Sequence, residues 1–165
     1  MRILVLACLL AFPLGCGGTP GSGDATVRAV VDGDTIVLTD GRHVRLVQLD
    51  APEADEGECY SRHATRELET LIPAGTDIEL ETDPSLDEED EFGRTLAYLQ
   101  RNGTNINVEL VRRGAAAPWF YDGIRGRYAA QLLLAAAEAR RHNRGLWRAC
   151  PETVFDPLHR VQTQP

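Results

Sequence analysis

The sequence contains no lysine: all 17 of its basic residues are arginines. No site in the chain can therefore use a compact ammonium. Every cation is a planar guanidinium that stays charged and matches phosphate oxygens in pairs. A genome biased toward arginine codons would produce the same absence, but it would not explain how the charge is divided. Residues 1–91 carry 6 arginines against 20 acidic residues, a net charge of −14, whereas residues 92–165 carry 11 against 5, a net of +6. Behind the overall −8 stands a chain able to set a basic face for a polyanion beside an acidic face for a cation.

A hydrophobic run long enough to span a bilayer is also missing. The N-terminal one, Ile3 to Phe12, is too short to do so as a helix. Following Arg2, it reads as a signal peptide over residues 1–16. Pro13-Leu14-Gly15-Cys16 resembles a bacterial lipoprotein processing site, although Pro13 stands where such sites usually carry leucine; an ordinary secretory signal cut nearby is the alternative. Either reading places the mature protein outside the cytoplasm, secreted or lipid-anchored to the bacterial cell envelope through Cys16. Residues 17–24, rich in Gly and Ser, are then a flexible tether of about 25 Å when stretched.

Cysteine is sparse. With Cys8 in the signal and Cys16 as lipid acceptor, Cys59 and Cys150 remain as an even pair in an oxidising compartment, which predicts a disulfide. Cys59 and His63, four apart on a predicted helix, read alternatively as a metal pair, yet no second Cys/His pair with zinc spacing accompanies them. No internal repeat is present. At 165 residues and 43% apolar content the chain is one domain with material for a core.

From Ala25 the pattern is that of strands. Val27, Ala29 and Val31 alternate with Arg28 and Val30, and Asp32-Gly33 turns the chain into Thr35 to Leu38. Asp40-Gly41 turns again into a third strand, His43 to Leu49, which Pro52 ends. Ser61 to Ile72 reads as a helix, with Ala64, Leu68, Leu71 and Ile72 on one face. Two further strands follow, Asp77 to Thr82 and Thr95 to Gln100. Asn105 caps a short helix closed by Gly114, and a longer helix is predicted from Ile124 to His142, its stripe formed by Tyr128, Leu132, Ala135, Ala136 and Ala139. Pro151 to Pro165 reads as a flexible C-terminal tail. The order fits an α+β fold, an OB-type five-stranded β-barrel with three packed α-helices over residues 25–150.

Three stretches carry charged residues suited to cleaving a phosphodiester: Asp32-Gly33-Asp34-Thr35, Arg45 through Glu53, and Glu91 through Tyr98. Each has a plainer reading. Asp34 follows a turn, Asp50 ends a strand, and Glu53 is a loop acid. Arg45 and Asp50 are separated by an odd number of positions, so a regular strand would send them to opposite faces; they meet only if the strand bulges or curls. If they do meet, Asp34, Asp50 and a backbone carbonyl make an oxygen-only site suited to calcium. Glu53 is placed to take a proton from water, and Arg45 and Arg94 to hold phosphate.

In this order the stretches resemble the thermonuclease family, whose prototype is staphylococcal nuclease, over residues 26 to 150. The resemblance implies a calcium-dependent endonuclease acting on single-stranded or open DNA and RNA to leave 3′-phosphates. Asp34, Asp50 and the Ala51 carbonyl would be calcium ligands, Arg45 and Arg94 catalytic arginines, and Glu53 the general base, a role disputed within the family. Asn107, Leu110 to Gly114 and Gly145-Leu146-Trp147 match its helical landmarks, and Cys59 with Cys150 is similar to a disulfide of bacterial members. There are departures. The prototype's lysine-rich loop is replaced by Ala54-Asp55-Glu56-Gly57-Glu58, and Phe92 stands for a common tyrosine. Trp119 and Tyr121 are candidates for stacking on a base, with core packing the alternative. The protein is expected to be a monomer. A noncatalytic OB-type module that binds nucleic acid or a surface partner is the competing reading, and a scaffold holding these charges as structural ion pairs a third.

Overall fold

In the computed structural model residues 22–164 are described; the expected signal peptide, its expected processing site and Cys16 lie outside them. Five strands close a barrel. Strand β1 (Ser22–Val30) pairs antiparallel with β2 (Thr35–Leu38) on one edge and with β5 (Asp77–Glu81) on the other. Next to β2 lies β3 (His43–Leu46), and next to β5 lies β6 (Thr95–Arg101). The closing contact is parallel, pairing Val44, Arg45 and Leu46 with Thr95, Leu96 and Ala97. This is the expected α+β, OB-type architecture. Its interior is filled by Val27, Ile36, Leu38, Val44, Leu46, Leu80, Ala97 and Leu99.

The alternation expected for β1 fails after Val27. A bulge at Arg28 shifts the register, so that Val27 faces Leu38 but Ala29 faces Val37. Val27 is fully buried, while Ala29 turns out to solvent and Val31 is 52% exposed. An extra residue of this kind bends a strand and sharpens its twist, as a five-stranded barrel requires. In the turn that follows, Gly33 serves through its missing side chain. A Cβ there would lie 2.6 Å from the Ala51 Cβ and 2.9 Å from the Ala64 Cβ. Gly33→Ala is expected to cost about 1–3 kcal/mol through overpacking, read as a lower urea midpoint with unchanged slope.

Helix α1 (Ser61–Leu71) and α2 (Ile106–Arg113) form where expected. Asn105 caps α2 by accepting from the Val108 N–H, and Gly114, at φ 72°, closes it. The third helix differs: α3 runs Ala129–Arg141 and begins five residues after the predicted start at Ile124. The amides ahead of it have other partners. Residues Tyr121–Gly123 form a 3₁₀ turn, the Gly126 N–H donates to Gln48 Oε1, and the Arg127 N–H donates to Asp83 Oδ2. Gly145 then leads into a short α4 (Leu146–Ala149).

Cys59 and Cys150 are joined in a disulfide across 91 positions, which removes Cys59 from any metal pairing with His63; the His63 ring stacks on Tyr60 instead. Replacing both cysteines by serine is expected to lower stability by about 2–5 kcal/mol, seen in thermal unfolding. Residues beyond Cys150, expected as a loose tail, are held against the domain. Val154 and Gln162 form an antiparallel bridge, Val161 and Thr163 are buried, and the Phe120 N–H donates to the Pro157 carbonyl. Composition suggested mobility there; these few inward residues among polar ones carried no periodic signal.

Candidate functional site

The predicted third strand breaks after Leu46. Val47 and Gln48 form a turn, with Gln48 at φ 63°, and β4 (Leu49–Asp50) then pairs with β8 (Ala117–Pro118) in a separate two-stranded sheet. A left-handed glutamine is uncommon, and here both ends of its amide are tied. Nε2 donates to the Ile124 carbonyl and Oε1 accepts from the Gly126 N–H. Asn107, fully buried in α2, fixes the other side of the turn: it donates to the Val47 carbonyl and accepts from the Leu99 N–H. Nothing local in the sequence marks Gln48 as a turn residue.

This break resolves the parity of Arg45 and Asp50. The Arg45 side chain wraps the turn, Nη1 donating to the Leu46 and Leu49 carbonyls at 2.8 and 3.1 Å. Nη2 lies 2.9 Å from Asp34 Oδ2 and 3.1 Å from Asp50 Oδ1, with all three residues buried. Asp34 also accepts from the Ala51 N–H and the Thr35 hydroxyl, and Asp50 accepts from the Val161 N–H. Two carboxylates and one guanidinium leave this buried cluster with excess negative charge. Burial pushes the Asp34 carboxyl up to about 7 against the pull of Arg45, with Asp32 and Glu53 adding to the rise. Asp50 is pushed up to about 6, again chiefly by burial, against the same guanidinium and with Asp34 opposing ionisation.

The donor set fits a hard divalent cation. It offers oxygen alone, and its aspartates resist ionisation because they are buried and, secondarily, because their negative charges oppose one another. Among the described residues no three His, Cys, Asp or Glu side chains converge as a metal cluster. A cation here would rest on Asp34, Asp50, the Ala51 carbonyl and water.

Glu53 stands at the edge of this cluster, half-buried, its carboxyl raised by burial and then by Asp32 and Asp50. Its N–H donates to Glu58 Oε2 at 2.6 Å, so the acidic loop folds back to brace it. Arg94 does not join the aspartates. Its Nε donates to Asp90 Oδ2 at 2.7 Å, its backbone N–H donates to Asp90 Oδ1, and its guanidinium lies over the Phe92 ring. It meets Arg45 across a cleft of about 530 Å³, which Trp119 and Tyr121 also line. These two aromatics stand edge to face, 5.7 Å apart, with Tyr121 62% exposed. Sequence reasoning missed Gln48, Asp90 and Arg160, the last at the cleft mouth; only Asp90, at i−4 from Arg94 in a Gly-containing turn, left a local trace.

With barrel, cleft and charge cluster in place, comparison with known families is decisive. Residues 43–149 match the family described as staphylococcal nuclease homologue, and the chain belongs to it. Among curated relatives, "Endonuclease YhcR" of Bacillus subtilis (strain 168) is 31% identical over 142 residues, which cover 77% of this chain and 12% of that protein. "Endonuclease YncB" of the same organism is 29% identical over 143 residues, covering 79% and 67% respectively. "Thermonuclease" of Staphylococcus intermedius is 30% identical over 129 residues, covering 73% and 74%. The chain thus spans a small part of the first of these and about two thirds or more of the other two.

Proposed function

We propose that this protein is a calcium-dependent endonuclease that hydrolyses phosphodiester bonds of DNA and RNA, leaving 3′-phosphates, outside the cytoplasm. The observation that carries the proposal is the meeting of Asp34, Arg45 and Asp50 within hydrogen-bond distance beside the Ala51 backbone, with Arg45 also lining the cleft that Arg94 lines. Two of the relatives reported above are named endonucleases and the third a thermonuclease. The Cys59–Cys150 disulfide supports an oxidising location, consistent with the signal-like residues 1–16 and with Cys16 as lipid acceptor.

In this reading Asp34, Asp50 and the Ala51 carbonyl would hold a divalent cation, whose chemistry there would be charge balance and Lewis-acid polarisation of a phosphate. Arg45 and Arg94 donate to the phosphate oxygens, contacts that strengthen as negative charge builds. Glu53 takes a proton from the attacking water, its raised carboxyl affinity matching that task. Trp119 and Tyr121 offer ring faces to an unpaired base, which favours single-stranded or open substrate. Asp90 acts as a positioning residue for Arg94. Asp90→Ala is expected to lower kcat by about 10- to 100-fold with KM little changed, while Asp90→Asn, which keeps an acceptor for Arg94, retains more.

The direct test is incubation of the protein with single-stranded DNA and with RNA, in calcium or in a chelator, followed by end-group analysis. Calcium-dependent cleavage to 3′-phosphates supports the proposal; binding without cleavage would replace it with a noncatalytic module.

A further inference from the structure

One cation at the cleft has no role in the reading above. Arg160 lines the same cleft as Arg45 and Arg94. Its guanidinium carbon lies 5.2 Å from the centre of the Trp119 ring, and its Nη1 is 3.8 Å from Glu53 Oε1. The backbone around it is fixed. The Val161 N–H donates to Asp50 Oδ2 at 3.0 Å, the Thr163 hydroxyl donates to the Cys59 carbonyl at 2.9 Å, and the Thr163 N–H reaches Glu58 Oε1. Cys150 at the start of this strap is bonded to Cys59, which its far end also touches. Two carboxylates of the site region, Asp50 and Glu58, therefore help hold the segment that presents Arg160.

Holding Arg160 there does little for the fold. Its side chain is 50% exposed, and at 3.8 Å its pairing with Glu53 is of the weak surface kind. A guanidinium over an indole face still directs its N–H groups in its own plane, toward oxygen acceptors. The need for such a donor is plain from the charges. The loop following Glu53 is acidic, and Asp87, Glu89, Asp90 and Glu91 form another wall of the cleft, so a polyanion entering it meets repulsion.

We propose that Arg160 is a substrate-binding residue, a third guanidinium that takes a backbone phosphate of the nucleic-acid strand running past Trp119. The assignment rests on the nuclease reading above. Standing next to Glu53, Arg160 exchanges a weak carboxylate contact for a phosphate oxygen when the strand enters.

The test compares Arg160→Gln and Arg160→Lys with the unsubstituted protein. Steady-state cleavage of a single-stranded DNA oligonucleotide in calcium should show KM raised about tenfold in Arg160→Gln, the size of one charge-assisted contact, with kcat nearly unchanged. Binding of the same oligonucleotide in calcium, measured by fluorescence anisotropy on a Glu53→Gln background, should weaken in Arg160→Gln. The slope of log affinity against log salt should fall by about 0.7, the loss of one phosphate contact to a single strand. Arg160→Lys should restore the slope but only part of the affinity. Thermal melting identifies a variant that has lost the strap. Unchanged KM and salt slope in a folded Arg160→Gln overturns the proposal while the unsubstituted protein still cleaves. Failure of the unsubstituted protein to cleave overturns the nuclease reading itself.

Discussion

Glu53→Gln is expected to lower kcat by about 10²- to 10⁴-fold, the contribution of a positioned general base, with the fold intact. Glutamine keeps the shape of the side chain but cannot accept a proton. Its backbone stays in place because the Glu53 N–H remains bonded to Glu58 Oε2. Burial, Asp32 and Asp50 all raise the proton affinity of Glu53. The side chain is thus a better base than a solvent-exposed glutamate. Single-turnover cleavage of a single-stranded oligonucleotide in saturating calcium isolates the chemical step from product release. A Gln variant that cleaves as fast as the parent would transfer the role to another group.

Arg45→Met is expected to be the most damaging change to stability, costing about 3–5 kcal/mol in chelator. Methionine fills similar length without charge, which leaves two buried carboxylates facing each other and two carbonyls, those of Leu46 and Leu49, without the Nη1 donor. Both carboxyls already lie above their ordinary values with the guanidinium present, so its removal leaves them little choice but to bind protons or cations. Adding calcium should therefore recover more stability in Arg45→Met than in the parent, although cleavage stays lost. Urea unfolding with and without calcium measures both effects; equal stabilisation of the two proteins by the ion would contradict the shared-charge account.

Much of the fold could be read because the helices bury one face, β5 alternates buried and exposed positions, and turn residues bracket the buried apolar runs of β2 and β3. The patterns failed where a residue answered to a distant partner. Arg28 forms a bulge that closure of the barrel requires, and Gln48 adopts a left-handed turn held by Ile124 and Gly126. The predicted helix start at Ile124 fails because the amides of Gly126 and Arg127 are claimed by Gln48 and Asp83. The site divides in the same way. Asp34, Asp50 and Glu53 sit in short motifs whose order is informative, and the parity conflict between Arg45 and Asp50 called for a bulge or curl where the structure has a turn at Val47 and Gln48. Arg160 lay in a stretch whose composition resembles a free tail. Its place depends on hydrogen bonds to residues about 100 positions earlier in the chain, which no local pattern encodes.

The bond from Val161 to Asp50 spans 111 positions, and it governs when the cluster matures. Ribosomes deliver the chain from its amino end, and early segments fold first. The barrel strands can therefore associate before the segment carrying Val161 arrives. During that interval the acid pair lacks one of its braces and Arg160 is missing from the groove. The barrel is thus complete before the charge cluster is, and the last residues to dock finish it.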